Sequence, residues 1–171
     1  MIPDTVVKFW DEAGPSSWFS KDEAFDADLR THFHGAHMTA SRGGFGDWEQ
    51  SAEGALGLIL LTDQIPRNIF RDSAHAFATD ARAREVAARA LDRGFDRAYD
   101  PALRCFFYLP FEHSERIEDQ TLSVALFEAL GEPQYLKAAQ LHRDIIARFG
   151  RFPHRTQVLG RVSTAEEMAF L

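Results

Sequence analysis

Apolar positions recur along most of the chain at three- and four-residue intervals, and no stretch alternates with the period of two that marks a strand. In "QYLKAAQLHRDIIARFG", Tyr135, Ala138, His142, Ile145 and Phe149 follow 3-4-3-4 spacing and form one helical face. Proline, glycine and capping residues divide this pattern into segments. Asp4 is placed to cap a first helix. Ser20 and Glu23 form an S-x-x-E capping box for a second that runs to about Ser41. Asp47 and Gln50 open a third, which Ile65-Pro66 should end, because proline removes a donor and disfavours helix before it. A fourth starts at Thr79 or Asp80 and closes on Gly94, and a short one follows Pro101.

Two further helices, 115–130 and 134–149, stop at Gly131 and Gly150, and only three residues separate them, so they must form an antiparallel hairpin. Leu122, Val124, Leu126, Phe127 and Leu130 wrap much of the first, which points to a central position. Ser163 and Glu166 form a second capping box for a last helix, which reaches Leu171 without a C-terminal cap; the native chain is expected to be able to continue. The fold class is therefore all-α: about seven helices packed as antiparallel hairpins in a single helical domain, 1–171. Successive hairpins suit an α-α superhelix as readily as a closed bundle.

Composition adds a large core, since 15 of the 171 residues are Phe. The longest apolar run, "ALGLILL", is far shorter than the roughly 18 residues of a membrane span. The single cysteine, Cys105, excludes an internal disulfide and fits a reducing cytoplasm. A net charge of −7 disfavours non-specific association with nucleic acid or anionic lipid.

Against that balance, His142–Arg161 holds five arginines and one acid, Asp144. Buried positive charge in such number needs acid partners or an anionic ligand. Three irregular junctions carry the polar chemistry. "TDQIPRNIF" holds Asp63, Gln64, Arg67 and Asn68 about a proline. "FFYLPFEHSE" holds Tyr108, His113, Ser114 and Glu115. The basic stretch holds His142, Arg143, Arg151, His154 and Arg155. The plain structural reading is that Arg67 pairs with Asp63, that Arg155 or Arg161 pairs with Glu166 or Glu167, and that Arg148 and Arg151 satisfy a helix C-terminus. The functional reading is a helical binding module for an anionic small molecule or a peptide: Arg67, Arg143, Arg151 and Arg155 grip its carboxylate or phosphate, while Asn68 and His142 add directional hydrogen bonds.

The same residues allow a metal-independent enzyme on an anionic substrate. His113 or His142 would then be the acid/base and Glu115 would orient it or activate water. "THFHGAH" holds His32, His34 and His37, but no nearby carboxylate completes a metal set. Without a Walker loop, a G-x-G-x-x-G or a C-x-x-C, the sequence points to no cofactor. RNA binding ranks below these readings, because the rest of the chain is acidic and the aromatics near the arginines read as core anchors. Oligomeric state is not legible.

"LLTDQIPRNIFR", "FFYLPFEHSE" and "HRDIIARFGRFPHRTQVLGRVSTAEE" resemble, in order and spacing, three signature blocks of the bacterial family known as domain of unknown function 924. The differences are Ile65, where that pattern usually has Phe, and Thr156, where it has Asn. The resemblance implies an all-helical fold similar to the tetratricopeptide-repeat superhelix, and it implies no reaction.

Overall fold

A computed structural model describes residues 1–171 as an all-helical chain. It has nine helices rather than seven: α1 (Pro3–Ala13), α2 (Pro15–Trp18), α3 (Glu23–Ser41), α4 (Ala52–Ile59, a π turn Leu60–Gln64, then Ile65–Ile69), α5 (Asp80–Asp92), α6 (Pro101–Glu112), α7 (Ile117–Leu130), α8 (Pro133–Phe149) and α9 (Ala165–Phe170). No strand is present, and no helix is long and apolar enough to cross a membrane.

Helix starts fall close to the expected positions, with the capping group shifted. The first cap is not Asp4, which lies inside the first turn; α1 begins on Pro3, whose fixed φ suits that place. For α3 the cap is Asp22, not Ser20: its carboxylate accepts from the backbone N–H groups of Ala24 and Phe25 at 2.9 and 3.1 Å. The last capping box is Thr164–Glu167, one residue beyond Ser163–Glu166. A carboxylate or hydroxyl on either neighbour can do the same work, so the sequence pattern leaves this choice to local geometry.

The larger correction concerns Pro66, which does not end its helix. An α-helix would leave the Thr62 carbonyl without a donor at Pro66, and a π turn would leave that of Leu61. Both are satisfied from other elements. Thr79 Oγ1 donates to Thr62 O at 2.6 Å, and His37 Nδ1 lies 2.8 Å from Leu61 O. The helix therefore continues to Ile69.

This helix is the centre of the molecule, and residues 54–66 are buried without a break. It packs against α1, α3, α5 and α6. Gly54 permits a close approach: a Cβ there would lie 1.9 Å from the Trp48 carbonyl oxygen. On α6, Phe106 and Phe107 are fully buried, and Trp10 and Trp18 meet Phe106 edge-on at 5.6 and 5.0 Å. Each such side chain contributes about 1.5–3 kcal/mol by leaving water.

Helices α6, α7 and α8 run in succession, each packed on the next. Gly131, at φ 81°, makes the expected turn of the α7–α8 hairpin. Helix α7 is not central. Only Gln120, Ser123 and Phe127 are buried on it, and Leu122 is largely exposed.

Candidate functional site

The π turn places Asp63 where a regular helix would not, and single π turns inside helices recur at functional sites. The Asp63 side chain is fully buried and accepts three kinds of donor. His113 Nδ1 lies 2.8 and 3.0 Å from its two oxygens, Gln64 Nε2 donates at 2.6 Å, and Arg67 donates at 3.1 Å. Burial would push this carboxyl up, but the His113 ring and the Arg67 guanidinium outweigh it and hold it far below the usual carboxylate range. An ionised Asp63 is acceptor only, so the proton on the His113 ring sits on Nδ1. Burial, then the charge of Arg67, lowers the His113 pKa despite the carboxylate, which keeps Nε2 unprotonated at neutral pH.

Arg67 completes the cluster. It grips both oxygens of Asp80, the first residue of α5, at 2.8 and 2.9 Å and also donates to the Asp63 carbonyl at 2.7 Å. Arg155 arrives from the short turn Pro153–Arg155. Its guanidinium lies between the rings of Phe77 and Phe152, 4.4 and 4.5 Å from their centroids. The nearest carboxylate contact, to Asp80, is 3.6 Å, and its buried Nε has no partner. Burial and the neighbouring Arg67 lower its pKa to about 10, against the pull of Asp80, Glu115 and Asp63.

A second pair lies where α6 ends beside α8. Glu112 is buried, and its carboxyl is 3.2 Å from His142 Nδ1. Burial, with the nearby charge of Asp63, pushes Glu112 up to about 8, so it carries its proton at neutral pH. The negative end of the α6 dipole favours the same state. His142 Nδ1 also lies 2.8 Å from the Ala138 carbonyl. Burial takes His142 down to about 4 although that bond opposes it, so the ring is neutral.

These groups surround one two-lobed cleft. The first lobe, of about 570 Å³, has Trp18, Phe19, Leu109, Tyr135 and Ala138 on its apolar side, with Glu112 and Asn68 among its polar walls. The second, of about 360 Å³, is lined by Lys21, His154 and Arg155, with Asp72 its only acid. Arg67, Arg71, His113 and His142 line both. His113 and Arg155 also line a third cavity of about 350 Å³, together with Asp80, Glu115 and Arg161.

Of the residues singled out in the sequence, Arg67, Asn68, His113, His142, His154 and Arg155 come together here. Asn68 donates to Asp26 at 2.8 Å, and Arg71 is held by the same carboxylate. Three others do not join them. Arg143 is half-buried, lines neither lobe, and pairs with its neighbour Asp144 at 2.8 Å. Arg151 grips Glu167 at 2.5 and 2.7 Å and lines neither lobe. Glu115 is taken up by Arg161, at 2.9 and 2.8 Å, and by the Phe152 N–H at 2.9 Å, so it orients neither histidine.

The role expected of Glu115 falls to Asp63 and Glu112, the carboxyl partners of the two histidines. Each stands at the end of an apolar run, "ALGLILLTD" and "CFFYLPFE", where a lone acid must find a partner. Arg71, Lys21 and the aromatic wall were missed as well. No cluster of three or more His, Cys, Asp or Glu residues is arranged to hold a metal ion. His37 lies against His75 with 3.1 Å between Nε2 atoms, while Cys105 is buried and its thiol is pushed up to about 12 by burial.

Fold and site together define an all-helical protein with a basic, partly apolar cleft walled by buried histidine–carboxyl pairs. The chain belongs to the family described as bacterial protein of unknown function (DUF924), whose sequence profile matches residues 6–171. It is similar to a solved structure of a protein of unknown function, ATU0120, from Agrobacterium tumefaciens. The two are 48% identical, with a TM-score of 0.95 over 98% of this chain and 95% of that one. A comparison with curated proteins gave no match.

Proposed function

We propose that the protein binds an amphipathic organic anion in this cleft, with a carboxylate or phosphate head in the basic lobe and an apolar body against Trp18, Phe19 and Tyr135. The observation that carries the reading is Arg155: a buried guanidinium with no carboxylate in hydrogen-bond reach, facing a lobe with one acid. A buried cation whose nearest carboxylate stays 3.6 Å away is only partly compensated, and an anion seated against it lowers the remaining cost. Phe19, 54% exposed beside Tyr135, is a ready contact for an apolar ligand body. The successive packing of α6, α7 and α8 supports reading this half as a tetratricopeptide-like superhelical array with a concave face. The lone buried thiol supports a reducing, cytoplasmic setting.

The test is thermal unfolding with phenyl phosphate, inorganic phosphate and phenol. A ligand at about 100 times its Kd adds about 2.7 kcal/mol, a rise on the order of 5–10 °C for a chain of this size. Phenyl phosphate should stabilise more than inorganic phosphate, and phenol hardly at all. Arg155→Ala should abolish both anion effects, and Phe19→Ala only the advantage of the ring. Equal stabilisation of the wild type and Arg155→Ala would move the site elsewhere.

A further inference from the structure

Three features of the cleft exceed what binding an anion requires. His113 is fixed through Nδ1 to a buried carboxylate, at 2.8 and 3.0 Å, while Nε2 has no protein partner and the ring lines all three cavities. A buried acid, Glu112, stands next to it in sequence and lines the same lobe. A π turn is used to seat Asp63 beneath the imidazole. An oriented imidazole with one free nitrogen is a proton acceptor, and the carboxylate behind it stabilises the imidazolium that forms.

We propose that Asp63 and His113 form a general-base dyad that activates water against a carboxylic ester of an amphipathic anion held in the cleft, with Glu112 protonating the departing alcohol. The substrate class rests on the binding reading above. The water oxygen bonds to the acyl carbon as its proton passes to His113 Nε2. The negative charge that gathers on the carbonyl oxygen is offset by the positive lining of the basic lobe, where Lys21 also stands while Arg155 holds the head group. The ester C–O bond breaks, and the alcohol oxygen takes the Glu112 proton. The new carboxylic acid and His113 then each release a proton, one of which returns to Glu112, so one proton is produced per ester cleaved.

Water is the nucleophile because no hydroxyl or thiol is bonded to His113. Ser114 Oγ donates to Asp119 at 2.6 Å, and Cys105 is buried against the Ala102 carbonyl. The two titrating groups are set apart in the required sense, since burial keeps the His113 ring neutral and takes Glu112 up to about 8.

The probe is 4-acetoxybenzoate, which carries an aromatic ring, a carboxylate and an acetate ester, with the protein's melting temperature in 4-hydroxybenzoate read alongside. The wild type should hydrolyse it above the buffer rate. His113→Gln, which keeps a donor toward Asp63, should lower kcat by about 10²-fold or more. Asp63→Asn, which favours the wrong tautomer, serves if the first variant fails to fold. Glu112→Gln should slow alkyl esters more than 4-nitrophenyl esters, a dependence on the leaving group that a structural role would not produce. Hydrolysis no faster than in buffer, or an undiminished rate in folded His113→Gln, overturns the dyad. If 4-hydroxybenzoate then still stabilises the wild type but not Arg155→Ala, binding stands and catalysis alone has failed. If it stabilises neither, both readings fall.

Discussion

The Arg155 guanidinium stands 3.6 Å from the Asp80 carboxylate, outside hydrogen-bond range, because Arg67 already holds both oxygens of that carboxylate. The two arginines are neighbours with opposite standing. One is hydrogen-bonded by two acids, and the other has only the longer contact to Asp80. Replacing Arg155 by Met would leave a chain to pack between Phe77 and Phe152 and remove a buried charge that lacks a hydrogen-bonded acid. Arg155→Met should therefore match the wild type in urea unfolding, or exceed it by about 1 kcal/mol, while losing all stabilisation by phenyl phosphate.

Arg67→Met should do the reverse. It would strip Asp80 of both its charged hydrogen bonds and remove the Arg67 charge that helps keep Asp63 ionised. Breaking a buried pair from one side costs about 3–5 kcal/mol, and here one cation serves two acids. The urea midpoint should fall accordingly, with no change in slope if unfolding stays two-state. A stable Arg67→Met would mean that the acids are held by other groups.

Which parts of this arrangement show in the sequence follows from the range of the interactions. Gly131 and Gly150 end their helices as expected, because a left-handed cap is a local property. The continuation of α4 through Pro66 depends on Thr79 and His37, which reach it from elsewhere in the chain, and no local pattern encodes that. The site divides in the same way. His142 lies on the apolar face of α8 and enters the cleft, and Arg143, about 100° further round, points outward as helical periodicity requires. Glu115 and Arg151 are absorbed by Arg161 and Glu167, partners just as available in the sequence as any ligand. Asp63 is legible as a partner of Arg67, four residues on in the same helix, but its second partner, His113, is 50 residues away; Glu112 is hidden by the apolar run before it, although an acid closing such a run needs a partner.

Glu112 gives a pH dependence of definite sign. Its pKa rises from 4.5 when unfolded to about 8 in the fold, so between these values the folded state holds the proton that the unfolded state has lost. Its contribution is most favourable below pH 4.5, falls as pH rises, and levels off above 8. At pH 7 the burden is on the order of 3 kcal/mol. Glu112→Gln keeps the shape and removes the proton equilibrium. It should be more stable than the wild type in urea at pH 8, with the gain nearly gone at pH 4.5. His142, taken down to about 4 by burial, costs stability as pH falls below 6.5. That cost is common to both proteins, so the difference between them isolates Glu112. A gain independent of pH would mean that Glu112 is ionised in the fold.

Arg151 tests the division of labour within the basic stretch. It grips both oxygens of Glu167, and its remaining bond is to the Val162 carbonyl at 2.8 Å. Glu167 in turn accepts from the Thr164 N–H at 2.7 Å and completes the capping box of α9. The arginine therefore fastens the last helix to the end of α8. Its hydrogen bond, with that of Thr164, lowers the Glu167 carboxyl to about 2. A carboxyl depressed in this way stabilises the fold above its unfolded value of 4.5 and loses that effect as pH falls toward 2. Arg151→Ala should lower the melting temperature at pH 7 by a few degrees, and by less at pH 3. It should also raise amide exchange across Ala165–Phe170, where Glu167 is the one buried residue. The shift given by phenyl phosphate should survive intact, because Arg151 lines neither lobe of the cleft. Loss of that shift with α9 still protected from exchange would return Arg151 to the binding site and require the head group to sit outside the lobe of Arg155.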